Sequence, residues 1–271
     1  MSHTQPTSLF DTAEACLQAA DIDAKLQLSA DTRSRWLAGE LVLQPQGEPA
    51  SIGEPGRPGR PLLVSGRKVP ARSLHTAEGR AAFIHALAHI EFNAINLGWD
   101  AVYRFRGMPR QYYDDWSRVA AEEAAHFQLL RKQLRMAGYD YGDFDAHNGL
   151  WEMAQKTAHD PLVRMALVPR VLEARGLDVA PGMIERFRDM NDSKMVEVMD
   201  LILREEVGHV EIGSHWFAFL CLQRDLDPEL TYRQLFEQYM QSQIKGPLNQ
   251  AARLSAGFTQ QEIDYLDGLI R

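Results

Sequence analysis

Sulfur chemistry is nearly absent from this sequence, which has two cysteines, Cys16 and Cys221, among 271 residues. They lie far apart and form neither a CxxC pair nor a disulfide framework. They therefore read as small buried hydrophobes of a protein from a reducing cytoplasm. No uninterrupted apolar run reaches the roughly 20 residues that a membrane-crossing helix needs. The first residues, Met1 to Pro6, offer no basic cluster and no apolar core behind it, so neither a secretory leader nor a membrane partner is expected. An excess of basic charge is also missing. A formal net charge of −8 argues against broad binding to nucleic acid. A local arginine patch leaves an RNA partner open without favouring it.

What remains is the composition of an ordinary globular protein, 45% hydrophobic and 24% charged, able to bury a substantial core. Within it one pattern occurs twice. Glu91 is followed by Glu122-Glu123-Ala124-Ala125-His126, and Glu173 by Glu205-Glu206-Val207-Gly208-His209. The distance from each lone Glu to its Glu-x-x-His glutamate is 32 residues in the first copy and 33 in the second. Residues three apart on a helix share a face, so Glu123 with His126, and Glu206 with His209, can each aim a carboxylate and an imidazole at one point.

Position within the apolar stripes selects the glutamates. Glu123 falls among Trp116, Val119, Ala120, Phe127 and Leu130, whereas Glu122 shares a face with Asp115 and Arg118. Glu91 sits between Ile84, Leu87 and Ile95, and Glu206 among Met199, Ile202 and Val210. An isolated carboxylate in such a stripe costs several kcal/mol unless it is paired or bound to metal. A binuclear carboxylate bundle takes a Glu-x-x-His from each of two helices and one Glu from each of two more. Glu91, Glu123, His126, Glu173, Glu206 and His209 make that set once. A single Glu-x-x-His is commonplace on helix surfaces; its repetition at matched spacing carries the metal reading. Hard oxygen donors with two imidazoles and no thiolate suit iron or manganese. With Glu123 and Glu206 bridging and Glu91 and Glu173 terminal, such a centre leaves positions open to O2.

At these residues, and at His89-Ile90-Glu91-Phe92-Asn93-Ala94-Ile95, the chain resembles the ferritin-like superfamily. It is most similar to a bacterial family of unassigned function related distantly to di-iron hydroxylases that modify tRNA. The resemblance covers about residues 75 to 225. It implies an all-α fold, a ferritin-like four-helix bundle with additional helices at both ends, holding two Fe ions (or Mn). It further implies a centre that uses O2 or peroxide without choosing the reaction; the leading expectation is an O2-dependent oxidoreductase, a hydroxylase ahead of a desaturase, acting on a small organic substrate. Peroxide reduction, iron oxidation, hydroxylation of an RNA nucleoside and a non-catalytic metal-binding bundle stand as alternatives.

The rest of the chain is read around that bundle. Residues 1–43 are expected to form a helical segment, with Ser8 or Thr7 as first cap and a second helix over Asp31 to Leu41 burying Trp36 and Leu37. Residues 44–74 are rich in Pro and Gly and form a loop, with strand alternation only at Leu62 to Val64. Its arginines suit a solvated loop better than an anion site. Bundle helices are expected over Thr76 to Phe105, Gln111 to Met136, from Asp160-Pro161 onward, and from Asn191-Asp192-Ser193 to Arg224, all within residues 75–225. Pro169 should kink the third, and Ala180-Pro181-Gly182 should break it before a restart to Met190. Residues 226–271 hold a helix over Tyr232 to Gln243 and another opened by a capping box at Thr259 and Glu262. These serve packing or a homo-oligomer contact.

Several other side chains have two readings. His85 and His89 are satisfied core histidines or proton-transfer groups near the site. Glu197 or Asp200 could fix an imidazole tautomer. Arg175 either orients an anionic substrate or forms a plain ion pair. Met165, Phe127, Trp216 and Phe217 read as core.

Overall fold

The computed structural model describes residues 7–44, 47–70, 72–240 and 244–270. The Met1 to Pro6 reading, Pro45 and the end of the helix expected to reach Gln243 lie outside these. Among the described residues the chain is all helical, and β pairing is confined to two isolated bridges, Ser8 with Val42 and Leu63 with Ala146. It divides into two compact units, residues 1–155 and 156–271.

In the first unit, α1 (Leu9–Gln18) begins where the Ser8 hydroxyl accepts the Phe10 N–H at 3.2 Å. Its stripe of Leu9, Phe10, Ala13, Cys16 and Leu17 is buried as the periodicity requires. The second helix differs from expectation. α2 (Ile22–Leu37) starts nine residues before the expected Asp31 because Asp21 caps it, its carboxylate accepting the Ala24 N–H at 2.8 Å. Trp36 is buried and donates to Asp114 Oδ1 at 2.7 Å, but Leu37 is 68% exposed. From α2, Lys25 reaches under the end of α1. Its ammonium donates to the last-turn carbonyls of Cys16 at 2.6 Å and Leu17 at 3.1 Å, and to Asn96 Oδ1 at 2.7 Å.

The long helices α3 (Ala77–Arg104) and α4 (Arg110–Met136) form a hairpin through a turn in which Gly107 has φ +81°. They pack tightly at Gly98, where an added Cβ would lie 2.8 Å from Ala120 Cβ. The Pro/Gly-rich loop is ordered by its backbone. Gly56 donates to Leu17 O at 2.7 Å, Val64 to Ala146 O at 2.8 Å, and Trp151 Nε1 to Gly53 O at 2.9 Å. Leu62 to Val64 contributes one bridge and no strand. Arg57 pairs with Glu54 and Asn148, in line with a solvated loop. The short α5 (Gly149–Lys156), where no helix was expected, closes this unit.

In the second unit, Asp160 caps α6 (Pro161–Leu167) by accepting the Leu162 N–H at 2.8 Å, with Arg224 donating to both its carboxylate oxygens. Pro169 cannot donate to residue 165, and the chain answers with a π-helical turn, Val168–Glu173, in place of a simple kink. α7 (Ala174–Asp189) then runs through Pro181, where a break was expected. The reason is a long-range contact: the Leu177 carbonyl, deprived of its donor by Pro181, accepts from Asn249 Nδ2 at 3.1 Å instead. α8 (Ser193–Gln223) is capped by Asp192. α9 (Pro228–Met240), an unexpected α10 (Gln250–Ser255) and α11 (Gln260–Asp267) follow, the last with its Thr259/Glu262 capping box in place.

Candidate metal centre

The first unit brings three of the expected ligands together. Glu91 on α3 and Glu123 and His126 on α4 are all buried. His126 Nδ1 lies 3.3 Å from Glu91 Oε2 and 3.5 Å from Glu123 Oε2, so one imidazole nitrogen faces both carboxylates. Glu122 is half-buried on the neighbouring face, as its position relative to the stripe requires.

The electrostatics of this triad are those of a site short of positive charge. Burial, and after it the Glu123 carboxylate, pushes the Glu91 carboxyl up to about 8. Burial alone would lower His126, but its hydrogen bonds to Glu123 and Glu91 and their charges outweigh that and carry it up to about 11. Two protons thus do the neutralising that a divalent cation would do. The donor set fits a hard or borderline transition metal, two carboxylates and an imidazole with no sulfur.

The second unit repeats part of this arrangement. His209 Nδ1 lies 3.3 Å from Glu206 Oε1 along α8, again through the nitrogen nearer the backbone. His209 is buried, and the Glu206 side chain is 13% exposed. Glu205 is half-buried too, so the facing distinguishes the two glutamates less sharply here than on α4. Glu173 is buried where the π-turn meets α7. Glu91, Glu123 and His126 belong to a group of His and carboxylate ligands that could hold a metal ion, and among the described residues Glu173 is not in that group.

The remaining candidates resolve individually. His89 accepts the Tyr141 hydroxyl at Nδ1 (2.8 Å) and its Nε2 donates to the His147 carbonyl (3.0 Å), fixing one neutral tautomer. Burial lowers it to about 4, and lowers His85, which accepts the Gly142 N–H at 2.9 Å, to about 4. Both are satisfied core histidines that hold the loop after α4. Glu197 and Asp200 face solvent, Glu197 paired with Lys194, so neither positions an imidazole. Met165, Phe127, Trp216 and Phe217 are core. Arg175 approaches Asp178 at 3.6 Å and donates to the Lys245 carbonyl. Sequence reasoning passed over Arg170, which is buried at 2% exposure against three aromatic rings. Its only signal was an arginine among Val168, Val171 and Leu172.

Fold and site together define an all-helical protein with a buried Glu/His cluster suited to a metal ion. The chain belongs to a protein family of unknown function, DUF455, whose model matches residues 18–264. It is 44% identical over 270 residues to an uncharacterized protein of Haemophilus influenzae, covering 96% of this chain and 94% of that one. No solved structure matches it. No helix among the described residues is long and apolar enough to cross a membrane.

Proposed function

We propose that α3, α4, the α6–α7 rod and α8 form a ferritin-like four-helix bundle around a binuclear iron centre, and that the protein is an O2-dependent oxidoreductase hydroxylating a small organic substrate in the cytoplasm. The observation that carries this reading is the repeated Glu-x-x-His in which Nδ1 of each histidine lies beside its motif's own glutamate, His126 at 3.5 Å from Glu123 Oε2 and His209 at 3.3 Å from Glu206 Oε1. Two such half-sites plus Glu173 supply the six ligands that binuclear carboxylate bundles use. Manganese fits the same donors.

In this reading the bound metals supply the electrons for reducing O2. The protein's own part is to hold and shield them. Glu91 and His126 would give up their protons to the cation, and Glu123, Glu206 and His209 would complete the donors around it. Phe92 and Phe127, packed at 5.4 Å between centroids on α3 and α4, keep water from the first half-site.

The test is to reconstitute the protein anaerobically with Fe(II), admit O2 in the presence of cell extract, and compare metabolites and RNA nucleosides by mass. A product heavier by one oxygen is expected. A modified nucleoside would make RNA the substrate. Consumption of peroxide, or growth of ferric mineral, at rates no organic compound alters would replace the hydroxylase reading with a detoxifying one.

A further inference from the structure

The second unit contains a cavity of about 230 Å3 that is unrelated to the ligand set, and its walls are of two kinds. One wall is apolar, with Tyr232 and Phe236 of α9 and Leu266 of α11. The other is cationic, with Arg170 of the π-turn, Arg175 of α7, Lys245 and Arg253 of α10. Among the described residues no carboxylate lines it.

The charge balance is uneven. Glu262 accepts from Arg170 Nη2 at 2.7 Å, and Asp178 accepts from Arg253 Nε at 2.9 Å and Nη2 at 2.7 Å. Arg175 shares that same Asp178 at 3.6 Å. Four cations against two carboxylates leave two positive charges over. The two inner arginines are 2% exposed, yet among the described residues Nε and Nη1 of Arg170 and Nη1 of Arg253 have no hydrogen-bond partner. Buried guanidinium N–H groups are costly to leave unsatisfied. The Arg170 guanidinium is also held in place, stacked 4.7, 4.5 and 4.6 Å from the ring centroids of Phe217, Tyr232 and Phe258. A fixed fork of donors with surplus charge, opposite an apolar wall, is the arrangement that recognises an oxyanion on a hydrocarbon body.

We propose that this cavity is a binding site for a small amphipathic anion, a carboxylate or phosphate monoester whose head group lies on Arg170, Arg175, Arg253 and Lys245 and whose apolar chain lies on Tyr232, Phe236 and Leu266. The volume, below the roughly 300 Å3 at which drug-sized pockets begin, limits the ligand to a short chain or a single ring. Because Arg170 is part of the π-turn that ends at Glu173, occupancy would stiffen the turn carrying that glutamate.

Calorimetric titration of the metal-free protein tests this independently of any metal chemistry. The probes are octanoate and octyl phosphate, with octanol and octylamine as neutral and cationic counterparts. Saturable one-to-one binding of at least one anion is expected, with tighter octanoate binding marking a carboxylate ligand and tighter octyl phosphate a phosphate ester. Arg175→Gln and Lys245→Gln, both at partly exposed positions, should each weaken it at least fivefold, and Leu172→Trp should block it by filling the cavity. The proposal is overturned if neither anion saturates, if octanol binds equally well, if both glutamine variants bind like the parent, or if binding appears only after metal is added.

Discussion

His126 Nδ1 sits 3.3 Å from Glu91 Oε2, joining α4 to α3 through a contact that neither helix could make alone. The pair spans 35 positions in sequence and is closed by the hairpin turn at Gly107. Two carboxylates beside a neutral imidazole carry two uncompensated negative charges, a load too large for a dry interior in so little space. Protons or a metal must balance it, and predictions about loading, protonation and stability all stem from that need.

Purified protein, or protein reconstituted anaerobically with Fe(II), should hold about two iron or manganese ions per chain, as six ligands in a binuclear bundle require. Elemental analysis reads this directly. Glu123→Ala should empty the site, whereas Glu122→Ala, on the half-buried neighbouring face, should leave loading unchanged. The reverse pattern would mean that the ligand face is misassigned by one residue.

Loading should release protons. With Glu91 near 8 and His126 near 11, both groups are mainly protonated at neutral pH in the metal-free chain, and a cation displaces about two protons from this half-site. Calorimetry in buffers of different ionisation enthalpy counts them, and affinity should rise with pH. The stability of the metal-free protein should run the other way. Both groups bind protons more tightly folded than unfolded, so their contribution is fully present at low pH. Glu91's is lost as pH rises from about 4.5 through 8, and His126's from about 6.5 through 11. Read as the difference between the parent and a Glu91→Gln variant, so that Lys25, His85 and His89 cancel, the parent's advantage in urea midpoint without metal should shrink across that range, and a difference that grows with pH would contradict this charge arrangement.

How far the sequence foretold this structure depended on how local the signal was. Caps and stripes are local, so the starts of α1, α6, α8 and α11 and the facing of Glu123 were legible. Pro181 was read as a break because the donor that replaces its N–H, Asn249, lies 68 residues downstream of the proline and is invisible to any local rule. The start of α2 is just as local, since Asp21 caps it in the same way as the others, and the expectation of a start at Asp31 lacks that cap. The polar residues Glu197 and Asp200 looked useful only because their facing on α8 was left open. Arg170 was passed over since a single arginine in an apolar run gives no hint of the three rings around it.

Lys25→Met should destabilise the protein by about 1–3 kcal/mol, because it leaves the Cys16 and Leu17 carbonyls at the end of α1 and Asn96 Oδ1 without the donor they share. Burial lowers the Lys25 amine to about 7. Since its pKa is lower folded than unfolded, its contribution to stability grows as pH rises from about 7 towards 10.5. The gap between parent and variant should therefore depend on pH across that window, as thermal melts will read. A variant as stable as the parent at every pH would mean that this ammonium holds nothing.

The last prediction concerns the turn that carries Glu173. Gly213 on α8 faces Pro169, and a Cβ added there would fall 2.3 Å from the ring carbon Cγ and 2.4 Å from Cβ. A pyrrolidine ring cannot swing aside as a long side chain would, so Gly213→Ala must displace α8 or the π-turn. The helix gains up to about 1 kcal/mol from losing a glycine, but overpacking a tight contact costs about 1–3 kcal/mol, and the clash should win. Pro169→Ala removes Cγ, the nearer of the two clashing carbons, but keeps Cβ; it also restores an N–H that favours a regular α-helix over the π-turn, a rearrangement that relieves the rest of the contact. The two substitutions should then be strongly non-additive, the double variant more stable than the sum of the singles by about 1 kcal/mol or more. Metal loading gives the second readout: Gly213→Ala should weaken it by shifting Glu173, and Pro169→Ala should partly rescue it. Additive denaturation midpoints would show that α8 and the turn do not meet at this pair.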